Sequence, residues 1–403
     1  MSFDFDVAIV GGGPIGSTLA YEISKEGFSV GVFDKKTEVG IPLQCAGIVS
    51  KRLKEVNEIP NDLILNEVKG AFLHSPNHTL KVEKDQIEAF VIDRIAYDKF
   101  LAKRAIDNGV KFFTKSKVIY VDVEKGIIGF KNSKKIRAKV IVGADGSNSI
   151  VSKSFNDYFN YYNGSQFLVK TNKNNEKKEL DGEFNHFAFD FVDLFVNSKT
   201  LPGFLWSIPL YENKYRIGLF SKDSYKEQNK LIKSFLENNK SFENYEIIEK
   251  YHGKIPIYDK KKKLVNKRAI LIGDAASQLK PTTGGGLILG FEVIPIAKKY
   301  IKKSLNENSV SVLEKYGETF RKNYSNELKY QISVQETLKK LSDNDLDYMF
   351  LKLKEKDVDK LISKYGDMDK QSILVKEILK RGLIFSIIPS MIFYRVSNIW
   401  NLK

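Results

Sequence analysis

Residues 5–16 read FDVAIVGGGPIG, and this stretch decides the fold. Its first six residues alternate too little for a strand with one solvent-exposed face, so they predict a buried parallel strand. Three glycines follow the strand directly, and the apolar spacing over residues 15–25 then predicts a helix. Residues 29–33 predict a second buried strand. The segment is therefore a βαβ unit, which indicates an α/β domain with a parallel sheet.

The glycine-rich turn fits the pattern G-x-G-x-x-G, with Gly11, Gly13 and Gly16 at the fixed positions. The first glycine permits the tight turn, the second lets a pyrophosphate approach the backbone, and the third packs the helix on the sheet. Asp34 ends the second strand about twenty residues later, where an acidic side chain accepts hydrogen bonds from a ribose hydroxyl. By position, the same dinucleotide site includes Pro14, Ile15 and Lys35. The turn alone leaves both FAD and NAD open.

Two later segments each follow another predicted buried strand and carry an aspartate near the strand end. Residues 142–149 read VGADGSNS and contribute Asp145 and Gly146, whereas residues 271–276 read LIGDAA. In the last segment the aspartate can accept hydrogen bonds from ribityl hydroxyls, and glycines that open a helix present bare N–H groups to a flavin. The candidate residues of this third segment are Gly273, Asp274, Gly285, Gly286 and Leu287. A simple nicotinamide dehydrogenase has no use for this segment, so the sequence predicts FAD.

Composition excludes several classes of protein. Of the 403 residues, 42% are hydrophobic, which suits a sizeable core, and no stretch reaches the roughly 18 apolar residues of a membrane span. The single cysteine, Cys45, excludes a disulfide framework, and the four histidines are scattered, so no metal site is predicted. The net charge of +15 is spread along the chain, which argues against nucleic-acid binding. The start lacks a signal-peptide pattern, so we expect a cytoplasmic protein.

The pattern changes between residues 154 and 257 to short aromatic-rich strands with polar turns, which predicts an antiparallel sheet inserted as a second domain. We therefore predict a Rossmann-like FAD-binding domain formed by residues 1–153 and 258–305, including an excursion over 50–90. Residues 154–257 form the substrate domain in this division. Residues 306–403 are lysine-rich and predict a C-terminal helical region.

The three segments resemble those of the p-hydroxybenzoate hydroxylase-like flavoproteins. Residues 143–149 match the G-A-D-G-x-x-S segment near the FAD pyrophosphate in that group, and residues 273–286 match its G-D-A-x-x-x-x-x-P-x-x-G-x-G segment at the flavin. Arg94 begins a stretch that matches the pattern R-x-x-x-D/F-x-x-L, in which the arginine contacts FAD. The resemblance therefore adds Arg94 to the FAD-binding residues.

Two further stretches narrow the resemblance to the archaeal geranylgeranyl reductases, which saturate isoprenoid chains of membrane ether lipids. Residues 40–50 read GIPLQCAGIVS and are similar to the family's G-x-P-x-x-C-G-x-x-V-S segment beside the flavin. This likeness places Cys45, Ala46 and Gly47 at the flavin and gives Cys45 a catalytic or gating role. Residues 203–209 read GFLWSIP and resemble the Y-x-W-x-F-P stretch of the substrate cavity. The implied substrate contacts are Phe204 and Trp206, together with Pro281 of the third segment.

The resemblance implies reduction of carbon–carbon double bonds in geranylgeranyl chains of archaeal membrane lipid precursors, with hydride from the N5 atom of reduced flavin. Two alternatives stay open, namely a flavin monooxygenase of the same fold, acting on an aromatic or isoprenoid compound, and a non-catalytic protein that binds flavin and lipid. The electron donor, ferredoxin or NAD(P)H, is also open. The apolar run 383–394 indicates either a helix docked on the core or a peripheral contact with the membrane surface.

Overall fold

The computed structural model describes residues 2–158, 160–171, 189–211 and 213–387. Its strands, in chain order, are β1 Phe5–Val10, β2 Val30–Phe33, β3 Ile48–Ser50, β4 Ile64–Val68, β5 Gly70–His74, β6 Thr79–Glu83, β7 Ala89–Ile92, β8 Lys111–Phe113, β9 Val118–Asp122, β10 Ile127–Phe130, β11 Lys135–Gly143, β12 Tyr161–Lys170, β13 Phe191–Phe195, β14 Leu205–Pro209, β15 Lys214–Ser221, β16 Glu246–Pro256, β17 Val265–Asn266 and β18 Ala269–Leu271. Its helices are α1 Pro14–Ser24, α2 Leu53–Val56, α3 Arg94–Asp107, α4 Ile150–Lys153, α5 Tyr225–Asn238, α6 Leu287–Asn306, α7 Glu314–Leu338, α8 Asp343–Glu355, α9 Val358–Tyr365, α10 Ser372–Lys380 and α11 Ile384–Ile387.

The first sheet has the order β17-β18-β11-β1-β2-β8, and its pairs are parallel from β18 to β8. β1 lies inside this sheet between β11 and β2, which explains its continuous apolar sequence, because both of its faces are covered. The carboxyl ends of β1, β2, β11 and β18 lie at one edge of the sheet. The glycine turn, Asp34, Asp145 and Asp274 follow these four ends, so the fold gathers the three predicted segments at one place.

Helices α1, α3 and α6 pack beside this sheet. The helix α6 approaches α1 so closely that a Cβ atom on Gly290 would lie 2.5 Å from the Cδ1 atom of Ile15. The helix α3 begins at Arg94, because the Asp93 carboxylate accepts hydrogen bonds from the backbone N–H groups of Ile95 and Ala96, both at 3.0 Å. The close packing of α6 on α1 therefore holds the N-terminal ends of these two helices in place, and both ends face the site.

The second sheet has the order β16-β12-β15-β14-β13-β5-β6, and all of its pairs are antiparallel except β13 with β5. One face carries Trp206 and Phe220, and the other packs against α5 through Ile232 and Leu236. The hairpin β5–β6 lies within the excursion 50–90, which the sequence analysis counted with the FAD-binding domain, yet it pairs with β13 of the inserted sheet. The strands β3, β7 and β4 form a small third sheet.

The predicted fold class, a Rossmann-like domain with an inserted antiparallel sheet and a C-terminal helical region, is confirmed. The apolar run 383–394 is described only as far as α11, where Ile384 and Ile387 are buried, and its remainder lies outside the described residues. Within the described ranges, no helix combines the length and the apolarity that crossing a bilayer requires. The same ranges contain no cluster of His, Cys, Asp and Glu side chains suited to a metal ion.

Candidate active site

Of the three fixed glycines in the turn after β1, one is open and two are crowded. Gly11 has φ of +101°, and a Cβ atom there would lie 2.4 Å from the carbonyl oxygen of Ala144. A Cβ atom on Gly16 would lie 2.1 Å from the carbonyl oxygen of Gly11, so this glycine lets α1 pack on the turn. A Cβ atom on Gly13 would meet nothing within 4 Å. Gly13 is the N-cap of α1 and has no capping side chain, so bare N–H groups face a space that an anion can enter.

Asp34 holds the glycine turn in place from the end of β2. Its carboxylate accepts hydrogen bonds from the backbone N–H of Gly12 at 2.6 Å and of Lys36 at 2.7 Å. Each carboxylate oxygen keeps a further lone pair for a ribose hydroxyl. Lys35, which the sequence analysis assigned to the same site, is exposed on the following loop.

Asp145 turns its side chain toward its own loop. It accepts hydrogen bonds from the Ser149 hydroxyl at 2.5 Å and from the Ile150 N–H at 2.6 Å. Burial raises the pKa of Asp145, and these hydrogen bonds offset part of that rise. The carboxylate thus shapes the second segment, while Gly146 has φ of +75° and would meet nothing within 4 Å of an added Cβ atom. The backbone of Gly146 is therefore the part of this segment that a ligand can approach.

Asp274 has the properties of a ligand-binding carboxylate. The residue is exposed to solvent, yet desolvation raises its pKa and the positive charge of Arg94 offsets only part of the rise. Asp274 therefore combines access to solvent with surroundings that disfavour its charged form. Across the described ranges, no side-chain hydrogen bond reaches this carboxylate. A Cβ atom on Gly286, the N-cap of α6, would lie 2.9 Å from Asp274 Oδ1, so the carboxylate lies at the start of that helix.

Arg94 connects the third segment to the loop that carries Cys45. Its guanidinium donates to the Asp98 carboxylate at 3.0 and 3.1 Å and interacts with the Cys45 thiol. Burial acts to lower the pKa of Arg94, but the charges and hydrogen bonds of Asp98 and Cys45 together outweigh it, so the pKa is raised. Arg94 therefore stays charged within reach of both Cys45 and Asp274.

Arg216 fixes the Cys45 loop from the inserted sheet, and the sequence analysis gave it no role. Its Nη1 atom donates to the carbonyl oxygens of Ala46 at 2.9 Å and Ile92 at 3.2 Å. Gly47 has φ of +75°, and a Cβ atom there would lie 2.0 Å from the same nitrogen. Burial lowers the pKa of Arg216. One feature of the sequence could have identified Arg216. It is a charged residue between apolar neighbours in a strand of the predicted inserted sheet.

The Arg216→Met variant is expected to lower the melting temperature of the apoprotein. The carbonyl oxygens of Ala46 and Ile92 would lose their donor, and each unpaired buried acceptor costs about 1–3 kcal/mol. For a protein of this size each kcal/mol corresponds to about 2–4 °C. Circular dichroism melting checks the prediction, with the exposed Arg381→Met as the control. Equal melting temperatures for the two variants would contradict the assigned tether.

A chain of hydrogen bonds joins Cys45 to Trp206. The side chain of Gln166 donates to the Cys45 carbonyl oxygen at 3.4 Å and accepts from the Trp206 indole N–H at 3.1 Å. The Cys45 thiol is half-buried and accepts from the Gly47 N–H at 3.4 Å. The structure thus brings the Cys45 loop, α3 and the inserted sheet together beside the three segments.

A small apolar crevice of about 10 Å³, room for about one water molecule, lies between the inserted sheet and the loop that follows Asp274. Its walls are Tyr162, Phe220, Ile255, Pro256, Ile257, Tyr258, Leu279, Pro281, Gly284 and Gln335. Of the three predicted substrate contacts, Pro281 lines the crevice. Phe204 and Trp206 lie in the layer behind it, with the Phe204 ring 5.2 Å from the Phe220 ring and 6.2 Å from the Trp206 ring.

Comparison with known sequences shows the family to which this chain belongs. A family model described as lycopene cyclase protein matches residues 6–353. An uncharacterised protein of Methanocaldococcus jannaschii is 33% identical over 96% of this chain and 99% of its own length. The digeranylgeranylglycerophospholipid reductase of the same organism is 27% identical over 85% and 89%. Digeranylgeranylglycerophospholipid reductase 1 of Methanococcoides burtonii is 28% identical over 90% of both chains.

Solved structures share the fold over nearly the whole chain. A structure described as geranylgeranyl bacteriochlorophyll reductase-like, from Thermoplasma acidophilum, has a TM-score of 0.79 at 23% identity, covering 98% of this chain and 99% of its own. A halogenase in complex with phloroglucinol and FAD has a TM-score of 0.66 at 15% identity, covering 94% and 84%.

Proposed function

We propose that this chain is an FAD-dependent oxidoreductase that reduces carbon–carbon double bonds of isoprenoid lipids. The chain belongs to the lycopene cyclase protein family and to the geranylgeranyl reductase-like flavoproteins. One observation carries the proposal. The Asp274 carboxylate lies at the start of α6, and the loop that follows it packs against the apolar inserted sheet, so a flavin and an alkene chain could meet there.

The residues present fit FAD. The open N-terminus of α1 at Gly13 would hold the pyrophosphate, Asp34 a ribose, and Asp274 the ribityl hydroxyls. The uncapped start of α6 at Gly286 would favour negative charge on a bound flavin, whereas the Gly285 N–H donates to the Thr283 hydroxyl at 3.4 Å. When bound and reduced, FAD supplies the hydride.

The protein's own contribution is placement and exclusion of water. The ion pair between Arg94 and Asp98, and the bonds of Arg216 to the Cys45 loop, fix the loop beside the proposed flavin position. The apolar face with Trp206 and Phe220 removes water from the reacting alkene. Cys45 keeps its proposed catalytic or gating role at the end of this face.

The finer proposal is that the substrate is the geranylgeranyl chain of an archaeal membrane lipid precursor. The relatives named as digeranylgeranylglycerophospholipid reductases support this chain length. One organism holds such a reductase and also the uncharacterised relative, to which our chain is more similar. A substrate panel therefore needs several head groups on the same isoprenoid chain. Ferredoxin or NAD(P)H supplies the electrons, and contact with the lipid is peripheral to the membrane.

The test uses the purified protein with chemically reduced FAD under anaerobic conditions and a geranylgeranyl lipid. A reductase returns the flavin to its oxidised absorbance, and its product gains two hydrogen atoms per reduced double bond by mass spectrometry. A monooxygenase turns over only with oxygen and adds an oxygen atom. Cyclisation leaves the mass of the lipid unchanged, and a binding protein changes neither flavin nor lipid. Any of these last three results overturns the proposal.

The Trp206→Phe variant is expected to slow reduction of long isoprenoids about fivefold to tenfold, the effect of losing one buried hydrogen bond of roughly 1–1.5 kcal/mol. The variant keeps an aromatic ring but deletes the N–H that orients Gln166 and, through it, the Cys45 loop. FAD content should not change. The control is Phe167→Leu, since Phe167 packs on the opposite face of the sheet. A rate equal to that of the wild type would show that Trp206 only packs in the core.

A further inference from the structure

A buried carboxylate of the C-terminal region bonds to two of the segments that would line the FAD site. Asp369 lies between α9 and α10, and its side chain is 6% exposed. Its Oδ1 atom accepts a hydrogen bond from the Lys280 ammonium at 2.8 Å, and its Oδ2 atom accepts one from the Ser50 hydroxyl. Lys280 lies in the loop that leads to α6, and Ser50 ends the stretch 40–50 that contains Cys45. A single carboxylate therefore joins two segments that are far apart in the chain.

Lys280 supports the turn that precedes α6. Its backbone N–H donates to the Gly285 carbonyl oxygen at 3.0 Å, and its carbonyl oxygen accepts from the Gly284 N–H at 2.8 Å. The side chain lies over the same turn, since a Cβ atom on Gly285 would be 2.9 Å from Lys280 Cε. The ammonium also donates to the Met368 carbonyl oxygen at 2.8 Å. A displacement of this side chain would therefore disturb the turn that leads to Gly286, the N-cap of α6.

Two further charged residues complete the buried group. The Arg52 guanidinium donates to the Glu292 carboxylate on α6, and its Nη1 atom lies 4.0 Å from Asp369 Oδ2. Burial acts to raise the pKa of Asp369, but the charges and hydrogen bonds of its partners, Lys280 first, outweigh burial, so the pKa is lowered. Asp369 is therefore ionised at neutral pH. Neutralising one member of such a group leaves an uncompensated buried charge, so the pairing of Asp369 with Lys280 is strongly favoured over separation.

Two neighbours of Lys280 are also held by the C-terminal region. The Gln371 side chain donates to the Thr282 hydroxyl at 2.7 Å, and the Gln335 side chain donates to the Pro281 carbonyl oxygen. Three consecutive residues of the loop, 280–282, therefore bond to the C-terminal region. The position of the turn before α6 depends on how that region packs.

We propose that Asp369 is a positioning residue for FAD, and that cofactor binding and docking of the C-terminal region are coupled through its bonds to Lys280 and Ser50. This inference rests on the proposed function, in which FAD contacts both the Cys45 loop and the uncapped start of α6. The cofactor needs both segments in place, and Asp369 holds them together without touching FAD itself. Two interactions that favour the same arrangement strengthen each other by the same factor. FAD therefore also tightens the docking of the C-terminal region.

The first measurement is a fluorescence titration of the full-length apoprotein with FAD. Asp369→Asn and Lys280→Met should each bind FAD about fivefold to tenfold more weakly, because the turn before α6 loses its buried ion pair. Lys280→Arg should keep most of the affinity, since a guanidinium also donates to both acceptors. The double variant of Asp369→Asn with Lys280→Met should be no weaker than either single variant, because both changes remove one interaction.

The control is Glu22→Gln, which breaks a different ion pair between packed segments. Glu22 of α1 accepts a hydrogen bond from Lys298 of α6 at 2.9 Å, and both side chains are partly buried. The pair lies roughly two to three turns from the starts of these helices. Its loss should lower the melting temperature but leave FAD affinity unchanged. An equal loss of FAD affinity in Glu22→Gln and Asp369→Asn would show a general effect of stability and overturn the positioning role.

Amide hydrogen exchange gives a second measurement that does not depend on turnover. The backbone N–H groups of Gly366, Asp369 and Lys370 are hydrogen-bonded within the segment 362–370, so their exchange reports on opening of this segment. Saturating FAD should slow their exchange at least about fivefold in the wild type and much less in Asp369→Asn. A residue that only stabilises the fold would change the protection of this segment equally with and without FAD.

The possible failures are distinguishable. Wild-type FAD affinity in both Asp369→Asn and Lys280→Met, or exchange of the segment 362–370 that does not respond to FAD, overturns the role of Asp369 and leaves the FAD assignment standing. A wild-type apoprotein that binds no FAD overturns the proposed function itself. If Asp369→Asn does not fold, the comparison of Lys280→Arg with Lys280→Met and the exchange of the wild type decide. Equal affinities of these two Lys280 variants then overturn the proposal.

Discussion

Gly13→Ala is expected to fold like the wild type and to bind FAD more weakly, whereas Gly16→Ala is expected to lose much of its stability. A methyl group at Gly13 would meet no protein atom within 4 Å, and the backbone there has ordinary angles, φ −71° and ψ −177°. The same methyl group would occupy the space through which the pyrophosphate reaches the helix start. Loss of one or two phosphate hydrogen bonds, at about 1.5–3 kcal/mol each, weakens FAD binding at least roughly tenfold.

At Gly16 the added Cβ atom would lie 2.1 Å from the carbonyl oxygen of Gly11, and both groups belong to backbone that the sheet and helix hold in place. Overpacking of this kind costs about 1–3 kcal/mol or more, a large part of a typical stability of about 5–15 kcal/mol. The melting temperature of each apoprotein and a fluorescence titration with FAD measure both effects. Wild-type FAD affinity in Gly13→Ala would contradict the pyrophosphate position, and a wild-type melting temperature in Gly16→Ala would contradict the packing role.

The parts of the fold that the sequence predicts well are those with a local cause. The strand β1, the glycine turn and α1 were predicted to within about one residue, because burial of the strand and the glycine spacing are both visible in a short window. The geranylgeranyl reductase resemblance is confirmed by the relatives and by the shared fold. The roles of the individual site residues stay predictions.

The parts that the sequence did not predict depend on residues far apart in the chain. The parallel pairing of β5 with β13 and the tether from Arg216 to Ala46 are examples. Asp369 is another, since it accepts a hydrogen bond from Lys280 at 2.8 Å and also one from the Ser50 hydroxyl. This buried carboxylate fastens the C-terminal region to the loop between Asp274 and Gly284. Nothing in the local sequence around Asp369 indicates the contact, because its partners come from distant segments.

Asp274→Ala is expected to weaken FAD binding about tenfold to a hundredfold, since a hydrogen bond to an ionised carboxylate contributes about 1.5–3 kcal/mol. Asp274 makes no side-chain hydrogen bond among the described residues and is exposed to solvent, so the substitution removes no side-chain hydrogen bond from the described fold. The melting temperature of the apoprotein should therefore stay close to that of the wild type. The exposed Asp85→Ala is the matched control for removal of one negative charge.

The pH dependence of FAD binding tests whether the charge of Asp274 matters. Desolvation raises the pKa of this carboxylate and Arg94 offsets part of the rise, so it takes up a proton at higher pH than an ordinary aspartate. If the ionised form holds the ribityl hydroxyls, wild-type affinity falls as the pH drops through that raised pKa. Asp274→Asn keeps an acceptor oxygen but has no charge, so its weaker affinity should not change over the same range. A wild type and an Asp274→Asn variant with identical affinity at every pH would show that the charge of this carboxylate does not contribute to cofactor binding, because charge is the property that separates the two side chains.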